Sequence, residues 1–218
     1  TKDISLFHAI KRRQTNRGWL NDAVLPYTVV QSCIAVAKEL GLNLVITREE
    51  KLKNKFASLT AMAVRKQLSM PWYRLEFASW LRSKFSLKPD GITGFGFFAK
   101  NLPLPVTKTR MKWMNQGKQI GDFNRDKVIN GSPILAIISS QTDTQQSWTN
   151  TGRMLSHLLL ELTAVGLSAS FMNQAIQEPK LRNQVTDLFD CESCPQLILR
   201  IGTAKKVEWT PRMPVEDS

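Results

Sequence analysis

The sequence predicts an α+β protein in which helices cover both faces of a mixed β-sheet. Four short aliphatic or β-branched runs are predicted strands, and helical segments separate them: 42–47, 133–139, 167–172 and 196–201. The run 133–139 is apolar on both faces, as expected of a central strand. The segment 148–165 is apolar around most of its circumference, which predicts a long buried helix. Because the strands are few and short, helix content should exceed strand content.

The helix at 148–165 and the strand after it are the predicted centre of the fold. Inward-facing side chains recur along the helix at steps of three and four residues: Trp148, Thr151, Leu155, Leu158, Leu159, Leu162 and Val165. Gly166 follows, where a residue in the left-handed conformation would end the helix. The polar pair Asn173 and Gln174 comes directly after the strand, so the exit from this strand is the candidate site.

Amphipathic spacing predicts six further helices, at 3–13, 27–40, 48–69, 71–82, 107–119 and 178–189. Gly41 is expected to end the second of these helices, and Pro71 separates the third from the fourth. Pro179 stands in the first turn of the last helix, where its missing N–H costs nothing. The tail 205–218 is polar and is expected to run extended over the surface.

The stretch 84–107 differs from the rest of the chain in composition. Its central part holds three glycines, three prolines and three phenylalanines without a clear period, which is typical of a loop. Two interpretations are open: a surface loop held down by its phenylalanines, or a lid over an apolar ligand. We therefore expect a single domain over 1–218, with 84–118 as a lid or an excursion from it.

The chain carries a formal net charge of +12, because 30 lysines and arginines outnumber 18 acidic residues. The basic residues are spread along the chain and do not form one block. One interpretation is an electrostatic field that attracts anions, such as phosphorylated cofactors, nucleic acid or acidic surfaces. The other is a solvated, mildly basic surface without a dedicated ligand.

The sequence favours a cytoplasmic protein without a membrane partner. No apolar run reaches the ~18 residues of a membrane span, and no basic-then-apolar secretory leader is present. Three cysteines in 218 residues do not form a disulfide framework. Because residue 1 is Thr, we expect the chain to begin inside a longer gene product.

Several catalytic motifs are missing from the sequence. GxSxG, HExxH and a phosphate loop with its lysine do not occur, so the corresponding hydrolase and kinase mechanisms have no support. Cys191 and Cys194 form one CxxC pair that closes a predicted helix, which favours a structural turn over zinc or redox chemistry. His157 is expected to be a hydrogen-bonded residue of the core or of an interface. No metal site is predicted.

The segment RRQTNR at 12–17, directly after the first helix, is the best candidate for a ligand site. In an extended segment, Arg13, Thr15 and Arg17 lie on one side. Their guanidinium groups and hydroxyl are donors that suit a phosphate, which arginine grips with two parallel hydrogen bonds. A second basic element near the C-terminus, Arg212, could complete this grip from the other direction.

The order of these pieces resembles the FMN-dependent nitroreductase family. RQTNR is similar to the R-x-[ST]-x-[RK] motif near the start of the family, and LLLELTAVGLSASFMNQ to its long helix, G-L-x-A turn and short strand. TPRMPVED resembles the family's closing segment, which contains an arginine. More narrowly, RRQTNRG, DGITGFG, the NQ pair after the strand and TPRMPVED resemble the Acg-like branch. The resemblance implies an α/β/α sandwich with a mostly antiparallel sheet and a long buried central helix.

The resemblance also implies an FMN site at the exit from the strand. Arg13 and Thr15 would hold the FMN phosphate, and Arg212 would be a second phosphate ligand. Arg17 would approach the pyrimidine edge of the flavin and offset charge on the reduced ring. A main-chain N–H in this region would reach flavin N5, and the ring would be lined by Phe171, Met172 and Asn173. Hydride would pass from NAD(P)H through FMN to a nitroaromatic or quinone-type acceptor, and no catalytic side chain is assigned.

The sequence departs from the family in one respect. Family members carry an S-x-x-N-x-Q-P-W type segment beneath the flavin, and no such segment occurs in the 218 residues. In Acg-like proteins this segment lies upstream of the RxTxR motif, so we expect an N-terminal portion to be missing. The expected partner is either a second copy of the chain, giving a homodimer, or that missing portion.

Two other functions remain open. A catalytically weak, flavin-sequestering protein would keep the site under a closed lid at 84–107 but would lose turnover. A basic anion- or nucleic-acid-binding module would use the charge of +12, and its binding would weaken steeply with salt. No nucleic-acid-binding signature is present, so nucleic acid is not an expected partner.

Overall fold

The computed structural model describes residues 4–83, 85–86, 90–93, 103–190 and 194–207. Its helices are α1 (Ile4–Arg12), α2 (Tyr27–Glu39), α3 (Glu50–Ser69), α4 (Pro71–Ser79), α5 (Leu104–Trp113), α6 (Gly117–Asn130), α7 (Gln145–Ala164) and α8 (Pro179–Leu188). Its strands are β1 (Leu42–Thr47), β2 (Leu81–Arg82), β3 (Ile92–Thr93), β4 (Ile134–Ser140), β5 (Ser168–Phe171) and β6 (Cys194–Gly202). None of these helices is both long and apolar enough to cross a bilayer.

Four strands form an antiparallel sheet in the order β1-β4-β6-β5. β4 lies inside the sheet and is buried along its whole length, as its aliphatic sequence requires, which confirms the predicted central strand. β5 stands at one end of this order. Its outer side carries a single parallel bridge between Thr15 and Ala169. The sheet is therefore mostly antiparallel, and this bridge gives it the mixed character that the sequence predicts.

Helices cover both faces of the sheet, because successive side chains of a strand point to opposite sides. Ala136 and Ile138 of β4 belong to a core cluster that includes residues of α2 and α7. Leu135 and Ile137 belong to a second cluster that includes residues of α3, α6 and α8. The architecture is an α/β/α sandwich, and the predicted α+β class is confirmed.

A third and smaller cluster joins α4 and α5 to α3 and α6. Its buried members are Val64, Leu68, Ala78, Met111 and Ile120. The second half of the predicted excursion 84–118, which the structure describes from residue 103 onward, therefore packs on the main body. Residues 84, 87–89 and 94–102 lie outside the described residues, so the role of 84–107 as a lid stays a prediction.

The helix predicted at 107–119 is wrong in its extent. α5 ends at Trp113, and the next helix, α6, begins at Gly117 and was not predicted. The side chain of Asn115 accepts a hydrogen bond from the Gly117 N–H at 2.9 Å, and this local turn separates the two helices. Gly121 lies where α6 crosses α3, and a Cβ there would be 2.9 Å from the carbonyl oxygen of Ala61. Gly121 thus permits close helix packing.

α7 is less buried than its apolar sequence predicts. One stripe of the helix faces the core: Thr151, Met154, Leu158 and Leu162. The ends of the predicted run, Trp148 and Val165, are 53% and 41% exposed. Gly152 is exposed and has open space where a side chain would be. The described residues therefore cover one side of α7 and leave the opposite side accessible.

We predict that Gly121→Ala destabilises the protein by about 1–3 kcal/mol, because the added methyl group would overpack the contact between α3 and α6. Gly152→Ala is the matched control, since it changes another helical glycine in open space. It should stabilise the protein by about 0.5–1 kcal/mol through reduced backbone entropy of the unfolded chain. Urea denaturation measures both values. Equal effects of the two substitutions would contradict the packing described for α3 and α6.

Candidate functional site

The arginine-rich segment after α1 runs along the outer edge of β5. Thr15 forms a parallel bridge with Ala169, and the Asn16 N–H donates to the Ala169 carbonyl at 3.1 Å. Because the pairing is parallel, the segment and the strand run in the same direction. Arg13 therefore lies toward the start of β5, and Arg17 lies toward its exit at Phe171. This arrangement brings three of the predicted ligand residues to one edge of the sheet.

Asn16 connects this segment to the C-terminal part of the chain. Its side chain is 5% exposed, its Nδ2 donates to the Lys205 carbonyl at 2.9 Å, and its Oδ1 accepts from the Gly18 N–H at 2.9 Å. An asparagine side chain offers both a donor and an acceptor, so one residue can satisfy two backbone groups. Asn16 was not among the residues that the sequence analysis selected, since its role depends on a contact 189 positions away.

A second connection between this segment and the C-terminal part of the chain is made by Asn21. The Asn21 N–H donates to the Thr203 carbonyl at 2.8 Å, and the Thr203 N–H donates to the Asn21 carbonyl at 3.0 Å. The chain leaving β6 is thereby held beside the segment 16–21. Lys205 and Lys206 follow and are exposed, so they add positive charge close to Asn16. Arg212 lies outside the described residues, and its assignment as a phosphate ligand stays a prediction.

The exit from β5 is fixed by its neighbour β6. The Met172 N–H donates to the Ile198 carbonyl at 2.9 Å, and the Oδ1 of Asn173 accepts from the Ile198 N–H at 2.9 Å. The Met172 side chain is buried in the cluster beneath α3 and α8, whereas Phe171 is partly buried against the opposite cluster. Met172 could therefore contact a ligand at this edge through its backbone and not through its side chain. The predicted contacts of Phe171 and Asn173 stay predictions.

Two polar groups at this exit have no partner among the described residues. The Oε1 atom of Gln174 is buried and accepts no hydrogen bond. The N–H of Asn173 donates to no described acceptor. Buried acceptors without partners are uncommon in folded proteins. The exit of β5 therefore leaves one backbone donor and one buried side-chain acceptor unpaired among the described residues.

Arg200 is a buried guanidinium next to the arginine-rich segment. It lies in β6 opposite Ser170 of β5 and is 1% exposed. Its Nη1 donates to the Gly131 carbonyl at 2.9 Å, and its Nη2 donates to the Gly18 carbonyl at 3.2 Å, while the buried Nε has no partner among the described residues. Burial lowers the pKa of Arg200 to about 10. The sequence did contain a signal for this residue, an arginine inside the otherwise aliphatic run QLILRI.

Lys127 of α6 is a second buried cation in this region. Its Nζ donates to the Arg17 carbonyl at 2.6 Å and lies 4.8 Å from the centre of the Phe123 ring. Burial, and then the charges of Arg200 and Arg17, lower the pKa of Lys127 to about 8. Lys127 was not a predicted site residue, because the sequence did not predict α6.

A polar cavity of about 290 Å³ lies at the ends of β4 and β6. Asp143, in its wall, accepts hydrogen bonds from Trp148 Nε1 at 2.6 Å, Arg182 Nη1 at 2.7 Å and Gln196 Nε2 at 3.0 Å. These donors, Arg182 foremost, hold the pKa of Asp143 well below its usual range. Asn173 also lines this cavity. The Asp143 network joins α7 to α8 across the end of the sheet.

The polar cluster on α2 and α7 is not a hydrolase site. Ser32 Oγ lies 3.1 Å from His157 Nε2 and donates to Glu161 Oε1 at 2.7 Å. A catalytic triad requires the acid and the hydroxyl on different ring nitrogens, whereas here Glu161 Oε1 also lies 3.4 Å from Nε2. Burial raises the pKa of the adjacent Cys33 thiol to about 12. The expected hydrogen-bonded state of His157 is confirmed.

No protein-family model matches the chain. Two curated relatives from Mycobacterium tuberculosis, uncharacterized protein MT3212 of strain CDC 1551 / Oshkosh and uncharacterized protein Rv3127 of strain ATCC 25618 / H37Rv, are each 24% identical to it over 192 residues. The matched region covers 84% of this chain and 52% of each relative. The chain thus spans about half the length of the curated relatives that it matches.

Solved structures with the same fold include flavin enzymes. An FMN- and NADPH-dependent nitroreductase, NfnB from Sphigopyxis sp. strain HMH, matches with a TM-score of 0.56 at 14% identity, covering 97% of this chain and 96% of its own. An iodotyrosine deiodinase bound to FMN and 3-iodo-L-tyrosine matches with a TM-score of 0.53 at 17% identity, covering 96% and 94%. A nitroreductase with bound FMN from Desulfitobacterium hafniense DCB-2 matches with a TM-score of 0.53 at 10% identity, covering 98% and 95%. These matches confirm a nitroreductase-like fold.

We predict that the stabilising effect of Lys127 depends on pH. Its pKa falls from the ordinary value of 10.5 to about 8 in the folded chain. Between these values the unfolded chain binds a proton that the folded chain does not, so stability rises with pH over this interval and is constant below it. The difference in unfolding free energy between wild type and Lys127→Met should rise by up to about 1.4 kcal/mol per pH unit above pH 8.

Urea denaturation at pH 7, 8, 9 and 10 measures this difference. Arg125→Met is the matched control, because it removes an exposed basic side chain from the same helix. Its difference from wild type should not follow the rise seen for Lys127→Met. Parallel stability curves for wild type and Lys127→Met would contradict the burial of a charged Lys127.

Proposed function

We propose that this chain binds FMN along the outer edge of β5 and acts as an NAD(P)H oxidoreductase with a nitroaromatic or quinone-type acceptor. The supporting observation is that the segment 13–17, the exit of β5 and the segment after β6 meet at one edge of a nitroreductase-like sheet. When bound, FMN would supply the hydride chemistry. The protein would hold and orient the cofactor and supply the electrostatic environment.

The start of β5 suits the phosphate end of FMN. Thr15 forms a β-bridge with Ala169, and Arg13 stands two residues earlier, at the end of α1, where its N–H donates to the Ala9 carbonyl at 2.9 Å. The backbone around Thr15 is fixed by its bridge to Ala169, and the exposed Lys205 and Lys206 stand close by through the contact with Asn16. Charge-assisted hydrogen bonds to a phosphate are stronger than those between neutral groups. Arg212 would add a further guanidinium.

The exit of β5 suits the ring of the flavin. The polar edge of the flavin presents the neighbouring acceptors N5 and O4, followed by the donor N3–H. The Asn173 N–H is a donor without a described partner, and Gln174 Oε1 is a buried acceptor without one. These two orphaned groups match a ligand that offers an acceptor and a donor side by side. A bare phosphate or a nucleic-acid backbone offers only acceptors.

A partner would complete the site. The apolar side chains Ile4, Phe7 and Ile10 of α1 are 65%, 68% and 49% exposed, and α7 has an accessible side at Gly152. The chain spans about half the length of its curated relatives, which leaves room for a second unit in those proteins. We propose that either a second copy of this chain or a further segment of a longer protein covers α1 and α7. Such a partner would close the open side of the flavin.

We predict that the purified chain takes up FMN and binds it more tightly than riboflavin, which lacks the phosphate. Arg13→Met should lower FMN affinity by roughly 10- to 100-fold, since a hydrogen bond to a charged group contributes about 1.5–3 kcal/mol. The affinity for riboflavin should stay unchanged. Flavin fluorescence titration measures both constants. Arg12→Met is the matched control, because Arg12 is the exposed neighbouring arginine. Failure to bind FMN, or equal losses in both variants, would contradict the proposed site.

We also predict that, in the absence of oxygen, the FMN-loaded chain oxidises NADH or NADPH repeatedly only when a nitroaromatic or quinone acceptor is present, because without one each bound FMN takes a single hydride. The absorbance of the nicotinamide measures this turnover. Bound FMN without any NAD(P)H oxidation would contradict an oxidoreductase and would support the flavin-sequestering function instead. A colourless protein that takes up no FMN would contradict both functions.

A further inference from the structure

Two buried cations lie directly beneath the turn that carries Arg17. Lys127 comes from α6 and holds the Arg17 carbonyl, while Arg200 comes from β6 and holds the carbonyls of Gly18 and Gly131. Both side chains are at least nine-tenths buried. We call Lys127 and Arg200 the buried cation pair. The pair therefore fixes the position of the Arg17–Gly18 turn against the sheet.

The partners of Arg200 are unusual for a buried charge. Buried guanidinium groups are normally paired with carboxylates, because removing a charge from water costs several kcal/mol. Arg200 donates to two backbone carbonyls, and no described carboxylate forms an ion pair with it. Neutral donors such as glutamine can also hold a carbonyl group. Holding the turn therefore does not by itself explain why positive charge is buried here.

The pair lies next to the place proposed for the flavin ring. Arg200 is level with Ser170 in the pairing of β5 with β6, one residue before Phe171. The charges of Arg200 and Arg17 lie close enough to Lys127 to lower the pKa of Lys127. Two buried cations and Arg17 itself thus lie at the Arg17–Gly18 turn, and Arg200 is level with Ser170 of β5. An added negative charge at this edge would be stabilised more strongly than in water, because the surroundings have a low dielectric constant.

We propose that the buried cation pair positions Arg17 and supplies a fixed positive potential that favours reduced FMN over oxidised FMN. This inference rests on the proposed function. A hydride from NAD(P)H brings two electrons and one proton to the flavin, so the ring gains one negative charge while the nicotinamide becomes NAD(P)⁺. The pair would stabilise that charge through space and through the fixed position of Arg17. Lys127 and Arg200 are therefore positioning residues that raise the reduction potential of the bound flavin.

The test is the midpoint potential of FMN bound to the full chain, measured by equilibration with a reference dye. Lys127→Met should reduce the preference for reduced FMN by at least tenfold, which corresponds to a potential lower by about 30 mV for a two-electron couple. Arg125→Met removes the same charge from the exposed side of α6 and should leave the potential unchanged. Arg200→Lys keeps the charge and should retain most of the wild-type potential.

Lys127→Gln distinguishes the effect of the charge of Lys127 from its effect on the position of Arg17. It also replaces the methionine variant in this test if that variant fails to fold. It keeps a donor for the Arg17 carbonyl but removes the charge, so it should bind oxidised FMN normally and still show the lower potential. A wild-type potential in Lys127→Gln would overturn the proposal and leave the pair with a structural role. Bound FMN with an unchanged potential in the variants would overturn this inference alone. Absence of FMN binding in the wild type would overturn the proposed function and this inference with it.

Discussion

The hydrogen bonds that tie the start of the chain to its end are the constraint on which the candidate site depends. Asn21 pairs with Thr203, and Asn16 reaches the Lys205 carbonyl with its buried amide. Among the described residues, the segment after α1 meets β5 itself through the bridge at Thr15, and these contacts act together with Lys127 and Arg200 to hold the segment at the sheet edge. The loop closed between positions 16 and 205 is long, so its closure entropy must be offset by the packed sandwich between them. The site is therefore a consequence of the whole fold.

Positive charge is concentrated at this same edge of the sheet. The net charge of +12 does not by itself show where in the structure that charge lies. Most basic residues are spread over the surface, where screening makes their individual contributions small. Lys127 and Arg200 differ because they are buried, and their charges act at close range. Both hold carbonyl groups, and Lys127 holds that of Arg17 itself. The protein thus has two kinds of positive charge: a basic surface spread over the whole molecule, and a local positive potential beside β5.

The sequence alone predicted the parts of the fold that depend on local pattern. β1 was predicted with its observed bounds, and β4 was predicted as central from its aliphatic run. α6 was not predicted, and its Gly121 is required by the close approach of α3, a contact that no local pattern reveals. The exposed side of α7 was also not predictable, since apolar periodicity does not say which neighbours are present.

The candidate site was predictable in part. The spacing of Arg13, Thr15 and Arg17 pointed to an anion, and the exit of β5 was selected from the polar residues that follow it. The roles of Asn16 and Arg200 depend on contacts across more than 180 positions, so the local sequence does not reveal their partners, even where the arginine in QLILRI stands out. Such residues become visible only when the strand register brings the two ends of the chain together.

A crystal structure of the chain with FMN tests the central claim most directly. The account predicts the phosphate within hydrogen-bonding distance of Arg13 and Thr15, and the ring extended along β5 toward Asn173. FMN bound only in the cavity beside Asp143, or on a surface away from β5, would contradict it.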